Sequence, residues 1–290
     1  MKIVIVFALI VWITLLGFSV YRDLQMVNQD GFGDLRNRVV GARLIKDGKS
    51  PYWYKWQMKD GPRYYDRWNI FSLKVTNITA SPFFLHLMQP VADINQKKLS
   101  RYWLFSEYLI YFLIVLIAFM LPGINGSKNT ALLIPLLLFF LTVPWVAHTS
   151  VGQNYLFIPL LLLIFLFIFY LEDKYFLRGL CCGAIAVAAI LIRPFLILFF
   201  IPYLVRYKQV NRYFMMAAVI PLLLTGIWFF ANKTERLYWS DYSASIAEQV
   251  KYHQGLNPAP AQIDTTSVYT EVEGVNLKNS IYFRPEMAKK

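Results

Sequence analysis

Five stretches of this 290-residue chain are apolar for long enough to cross a membrane. Residues 3–21 carry no charge, and residues 103–121 are apolar apart from a few polar positions. From 129 to 171 there are 43 residues without Asp, Glu, Lys or Arg, enough for two spans at about 20 residues each. "WVAHTSVGQN" (145–154) breaks that stretch, so the pattern predicts helices over 130–146 and 154–171. The run 179–205 holds a single charge, Arg193, followed at once by Pro194, and residues 213–230 form the last run. Apolar runs of about 18 residues or more mark membrane spans, so the expected class is an all-α polytopic membrane protein. The first run exceeds the ~7–15 apolar residues of a signal-peptide core. No small-x-small cleavage site follows it, and it reads as a retained helix.

Between the first two runs lies a polar segment, 22–101, with fourteen Lys or Arg and seven Asp. Within it, 34–46 opens on Asp34, a possible helix cap, and keeps Val39, Val40 and Leu44 apolar. That spacing predicts a short amphipathic helix at the membrane interface. Gly48 and Pro51 end it. "PFFLHLMQPVA" (82–92) is too short to span and fits an interfacial or re-entrant piece. The expected organisation is a transmembrane domain over 1–230, with 22–101 as an outer loop, and a polar, non-spanning segment over 231–290.

Short basic loops tend to stay in the cytoplasm. Lys174 and Arg178 form one such loop, and Arg206, Lys208 and Arg212 another. The stretch 147–153 has no Lys or Arg and belongs outside. For both basic loops to be inside, 179–205 must enter and leave from the same side. It then forms two short helices meeting at Arg193–Pro194, since proline disfavours helical geometry in the residue before it. Its 27 residues are few for two full spans of roughly 20 each, so half-spanning helices buried by their neighbours are expected. One outer face thus collects 22–101, 147–153, Arg193 and 231–290.

Composition agrees: 57% of residues are hydrophobic and mean hydropathy is +0.44. Only 16% are charged, against about 25% in soluble domains. The net charge of +12 points to anionic lipid head groups or phosphates, because the basic residues flank the spans. No nucleic-acid-binding motif accompanies it. Cys181 and Cys182 lie side by side within an apolar run and read as packing residues. With no CxxC and no His-rich cluster, no metal site is expected.

Several polar residues could carry chemistry. Asp34 could act as a general base at a membrane-proximal helix start, or simply cap that helix; Asp30 is a nearby alternative. An arginine at the centre of a span costs about 2.5–3.5 kcal/mol on insertion scales. Arg193 therefore either snorkels to the outer interface or clamps an anion, since guanidinium suits phosphate. His148 reads as a hydrogen-bonding residue or a catalyst, and Gln153 and Asn154 as a polar pocket floor. Trp239 and Tyr242, close to Asp241 and Glu248, suit sugar stacking and hydroxyl binding, or an interfacial aromatic belt.

These features together resemble glycosyltransferase family 87 of the GT-C superfamily, the polyprenol-phosphate-mannose-dependent mannosyltransferases and related arabinofuranosyltransferases. Asp34 followed by "VVGARLIKDGKSPYW" is similar to that family's pattern after its acidic residue. "SPFFLHLMQPVA", "VGQNYLFIPLLLL", "GLCCGAIAVAAILIRPFLILFFIPYLV", "WSDYSASI" and "NLKNSI" follow in the family's order, although the family usually has Lys where Arg193 stands. The resemblance implies a GT-C-like helical bundle. It implies inverting transfer of a hexose, by default mannose, from a polyprenyl-phosphate donor to a glycan or lipid acceptor at the outer face of a bacterial inner membrane. Asp34 would take the acceptor proton and Arg193 would hold the donor phosphate. Gln153, Asn154, His148, Arg43, Trp239 and Tyr242 would contact substrate, with no resident cofactor and no nucleic-acid partner. Family members continue through further spans where this chain stops at "RPEMAKK", so it reads as truncated at the C-terminus. A non-catalytic scaffold or subunit, or a lipid-linked sugar transporter, are the competing readings.

Overall fold

The computed structural model describes residues 2–30, 32–54, 56, 58–65, 78–121, 133–171, 175–205, 212–254 and two strand pairs of residues, Glu271–Val272 and Val275–Asn276. Lys174, Arg206, Lys208 and most of "NLKNSI" lie outside these. The described residues are almost wholly helical, and four helices are long and apolar enough to cross a membrane. The chain is an all-α polytopic membrane protein.

Helix α1 (Lys2–Asp30) runs nine residues past the expected end at 21. The first charges, Arg22 and Asp23, do not stop it because they are satisfied inside the bundle. Asp23 is fully buried and accepts from Tyr108 Oη and Trp145 Nε1, both at 2.8 Å. Arg22 pairs with it at 2.8 Å. A buried charge so paired and hydrogen-bonded is tolerable where a lone one is not. The helix thus carries the chain through the first part of the polar segment.

Helix α2 (Gly33–Lys46) forms where the amphipathic pattern placed it, but it is no surface helix. Every residue from Leu35 to Ile45 is buried. Phe32 holds the capping position, so Asp34 is a first-turn residue and not the cap. Helix α3 (Pro82–Met88) is capped by Ser81, whose Oγ accepts from Phe84 N at 3.3 Å, and it continues as a 3-10 turn over Gln89–Val91. It packs on α2 so closely that a Cβ on Gly41 would sit 2.9 Å from Leu85. The 82–92 segment thus buries Pro82, Phe84, Leu85 and Met88 against the bundle.

Helix α4 (Gln96–Met120) starts seven residues before the expected 103, because the Asn95 side chain caps it on Lys97 N at 3.1 Å. It runs antiparallel to α1: Arg101 meets Asn28 at one end and Phe112 meets Trp12 farther down.

The expected single helix over 130–146 is broken. Helix α5 (Leu133–Leu137), a 3-10 turn (Phe139–Leu141) and α6 (Val143–Val151) replace it. Thr142 caps α6, with Pro144 in its first turn. Within a membrane, carbonyls freed by such a break need partners. Neighbouring helices supply them: Tyr111 Oη donates to Leu136 O (2.7 Å) and Leu137 O (2.9 Å), Trp12 Nε1 to Leu137 O (3.0 Å), and Ser19 Oγ to Phe140 O (3.1 Å). The polar break itself falls at 152–156, between α6 and α7 (Phe157–Tyr170).

Helix α8 (Tyr175–Ile192) is followed by extended Arg193, a 3-10 turn (Pro194–Leu196) and α9 (Ile197–Val205). The chain does turn back at Pro194. Phe165 of α7 bonds Cys182 of α8 through its carbonyl and packs its ring 4.9 Å from Phe200 of α9, so α8 and α9 run side by side in opposite senses. The first arm, α8, is long enough to span alone, and α9 is described as far as Val205.

Helix α10 (Arg212–Ala231) then packs parallel to α8. A Cβ on Gly179 would lie 2.1 Å from Phe214 O, and one on Gly183 would lie 2.2 Å from Ala218 O. Two glycines four apart let these backbones touch. One residue, Asn232, separates α10 from α11 (Lys233–His253), and its side chain caps α11 on Glu235 N at 3.2 Å.

Candidate functional site

Polar groups meet where α2 begins, α6 ends and α8 gives way to α9. Gly152 closes α6 in the left-handed conformation (φ 68°), and a Cβ there would collide with Phe32, 2.4 Å away. This fixes the 152–156 loop against the start of α2. On α2, Asp34 and Arg38 are four residues apart and share a face. Arg38 donates to Gly152 O and to Gln153 Oε1, both at 3.0 Å. Gln153 Nε2 donates in turn to Asp34 Oδ2. The Arg38 guanidinium itself stays 3.9 Å from that oxygen.

Burial differs sharply within the pair: the Asp34 side chain is 40% exposed and that of Arg38 only 5%. Burial raises the Asp34 pKa above the ordinary carboxylate value, with Arg38 pulling the other way. Burial also lowers the Arg38 pKa; Asp34 opposes this, and Arg193 adds to it. The two guanidiniums therefore face the same space. Arg193 lies 5.4 Å from the centre of the Tyr155 ring. Burial raises the Tyr242 phenol pKa, and Arg193 works against it, which brings α11 to the same place. Tyr242 packs between Tyr52 (5.5 Å) and Trp239 (5.6 Å). Ser50 Oγ donates to Asp241 Oδ2 at 2.5 Å, tying α11 over the segment after α2.

Beneath this cluster His148 Nε2 sits 2.7 Å from Glu107 Oε2. Asn154 is buried, and its Oδ1 has no partner among the described residues. The structure thus gathers Asp34, Gln153, Arg193 and Tyr242, with His148, Asn154 and Trp239 close around them. Arg43 stands apart, donating to Ala92 O (2.7 Å) and Arg63 O (2.8 Å), where it ties the loop to α2. The side chain of Asp30 lies outside the described residues. Sequence reasoning passed over Arg38 and Glu107. Arg38 sits among Arg36, Arg43 and Lys46 and looks like part of a solvated basic face. A lone Glu in the apolar run of α4 was the available signal for Glu107. Among the described residues no three His, Cys, Asp or Glu side chains gather as a metal site.

A membrane-embedded helical fold with one polar face, where a carboxylate and guanidiniums converge, suits an enzyme acting on a charged substrate at the membrane surface. Residues 79–272 match glycosyltransferase family 87, and the chain belongs to that family. It is a membrane glycosyltransferase, using a sugar donor and an acceptor. The match takes in His148, Gln153, Asn154, Arg193, Trp239 and Tyr242, while Asp34 and Arg38 lie ahead of it. No curated protein and no solved structure matches the chain.

Proposed function

We propose that the chain is an inverting, GT-C-type enzyme that moves a hexose, mannose in the first instance, from a polyprenyl-phosphate donor to a hydroxyl of a glycan or lipid acceptor. The reaction takes place at the outer face of a bacterial inner membrane and uses no resident cofactor. One observation carries the reading: a partly exposed carboxylate, Asp34, and Arg193 meet the same short loop, Asp34 at Gln153 and Arg193 at Tyr155, and the Arg193 guanidinium has no carboxylate partner among the described residues. An apolar cleft of about 410 Å³ supports a lipid-linked donor. Phe83, His86, Leu191, Leu224, Thr225 and Trp228 line it, and Leu191 is two residues from Arg193.

The acceptor hydroxyl gives its proton to Asp34 as its oxygen attacks the anomeric carbon. The bond from that carbon to the phosphate oxygen breaks on the opposite face, and the electron pair leaves with the phosphate. Arg193 stabilises the charge that grows there. Attack from one face and departure from the other invert the configuration. Trp239, packed edge-on against the buried Tyr242, offers a wall for the sugar.

The test is transfer by membranes containing the chain, supplied with defined polyprenyl-phosphate sugars. A positioned general base contributes roughly 10²–10⁴-fold, so Asp34→Asn lowers transfer by that factor at unchanged membrane insertion. Full transfer by D34N would remove Asp34 from the role.

A further inference from the structure

We infer that Gln153 is a positioning residue and not a sugar contact: Arg38 fixes its amide so that one oxygen of Asp34 is held and the other is left for the acceptor hydroxyl. The inference rests on the proposal that Asp34 takes the acceptor proton.

A side-chain amide has a donor end and an acceptor end of nearly equal shape, so its orientation follows from its neighbours. A guanidinium can only donate. Arg38 Nη2 lies 3.0 Å from one end of the amide, which must be the oxygen. The NH2 then faces Asp34 Oδ2. Arg38 cannot swing away, because it is buried and its other nitrogen is bonded to Gly152 O at 3.0 Å. That carbonyl is itself held by the left-handed turn packed on Phe32. The chain of constraint runs from backbone to guanidinium to amide to carboxylate.

This arrangement resolves a conflict. A carboxylate gripped directly by arginine has its pKa lowered by about 1–3 units and becomes a poor base. A carboxylate held by nothing is poorly aimed. Here the arginine stops 3.9 Å short, and a neutral N–H makes the contact. Asp34 is oriented yet stays more basic than an ordinary aspartate. The other ionisable groups around the relay are Tyr155, Glu107 and Arg193, which act on Arg38 from three other segments.

The test uses Gln153→Glu, which keeps the acceptor for Arg38 but puts a second carboxylate against Asp34, and Gln153→Leu, which removes both contacts. Arg38→Lys is a third variant, reaching the amide oxygen without the fork. Two readouts apply. One is the infrared titration of Asp34 in purified protein, taken as the difference from D34N, which needs no turnover. The other is the pH dependence of transfer with kcat and KM separated.

Gln153→Glu is expected to raise the Asp34 midpoint by about one unit or more and move the acid limb of kcat upward with it. Gln153→Leu is expected to lower kcat roughly tenfold, with the KM for donor within about twofold of the parent. Arg38→Lys is expected to retain part of the activity that Gln153→Leu loses. A raised KM at unchanged kcat would make Gln153 a substrate contact and overturn the inference. So would an Asp34 midpoint unmoved in Gln153→Glu. Should D34N prove active, the base assignment falls, while the infrared coupling still reports on the relay separately.

Discussion

Arg193 and Arg38 show what a single residue reveals about its surroundings. Arg193 stood out because it is the lone charge in an apolar run, and expense of that kind is visible in a sequence. Arg38 did not, because its cost is hidden among other basic residues and its partners, Gly152 and Gln153, are more than a hundred positions away. Asp34 was found, but whether it caps the helix could not be read, since a first-turn residue and a cap look alike at this spacing. Its raised pKa has two consequences of opposite sign. As the proposed base it must be ionised, so transfer should rise with pH through a midpoint above the ordinary aspartate value. For stability the protonated form is the favoured one, present in full below the unfolded-state value and lost as pH rises through the folded one. D34N should therefore unfold no earlier than the parent at neutral pH in detergent, even though it has lost transfer. At Gly152 both the backbone and the space exclude a side chain. Gly152→Ala is expected to cost about 2–4 kcal/mol in reversible unfolding. Trimming Phe32 to Ala should rescue little, because the atom nearest the added methyl, the Phe32 Cβ at 2.4 Å, stays in place.

Among the elements, the apolar runs predicted that helices would form but not where they would break. The interruption at 138–142 is invisible in hydropathy because every residue there except Thr142 is apolar. What makes it tolerable lies on other helices, at Trp12, Ser19 and Tyr111. Tyr111→Phe leaves two carbonyls with fewer donors and should destabilise by about 1–2 kcal/mol, read from thermal unfolding. The Arg193–Pro194 turn was legible because proline and loop charge agreed. That α8 would be long enough to span alone was not, since helix length depends on what each arm packs against. The seam between α8 and α10 gives a contrast of glycines. Gly183→Leu should separate the two helices and abolish a cysteine crosslink engineered between them. Gly17→Ala meets nothing within 4 Å and should leave the protein equal or about 0.5–1 kcal/mol more stable.

Taken as a whole, the molecule puts its candidate chemistry at one end of the bundle. The start of α2, the 152–156 loop, Arg193 and α11 all meet there, and the turn-back at Pro194 is what brings Arg193 among them. The proposed orientation places that end outside. With Cys181 and Cys182 replaced by Ala, cysteines at 193 and 241 should react with an impermeant reagent added to intact cells. A cysteine at 175, the far end of α8, should react only after the membrane is opened. Labelling of 193 only from within would reverse the orientation. The sequence located this face through loop charge and lone polar residues. It could not reveal how α11 is tied down, because the His86–Glu235 contact (2.6 Å) and the Ser50–Asp241 bond join segments far apart in the chain.

The parallel seam between α8 and α10 also sets an order of events during synthesis. Gly179 and the residue it touches, Phe214, are 35 positions apart (214 − 179). At about 5–20 residues per second, the first glycine waits roughly 2–7 s for its partner to be made. During that interval α8 is held by α7, its antiparallel neighbour, and by α3. A ribosome that pauses before residue 212 would leave a glycine-lined groove facing lipid or a foreign helix. Helix α10 is thus the element that closes the groove on α8.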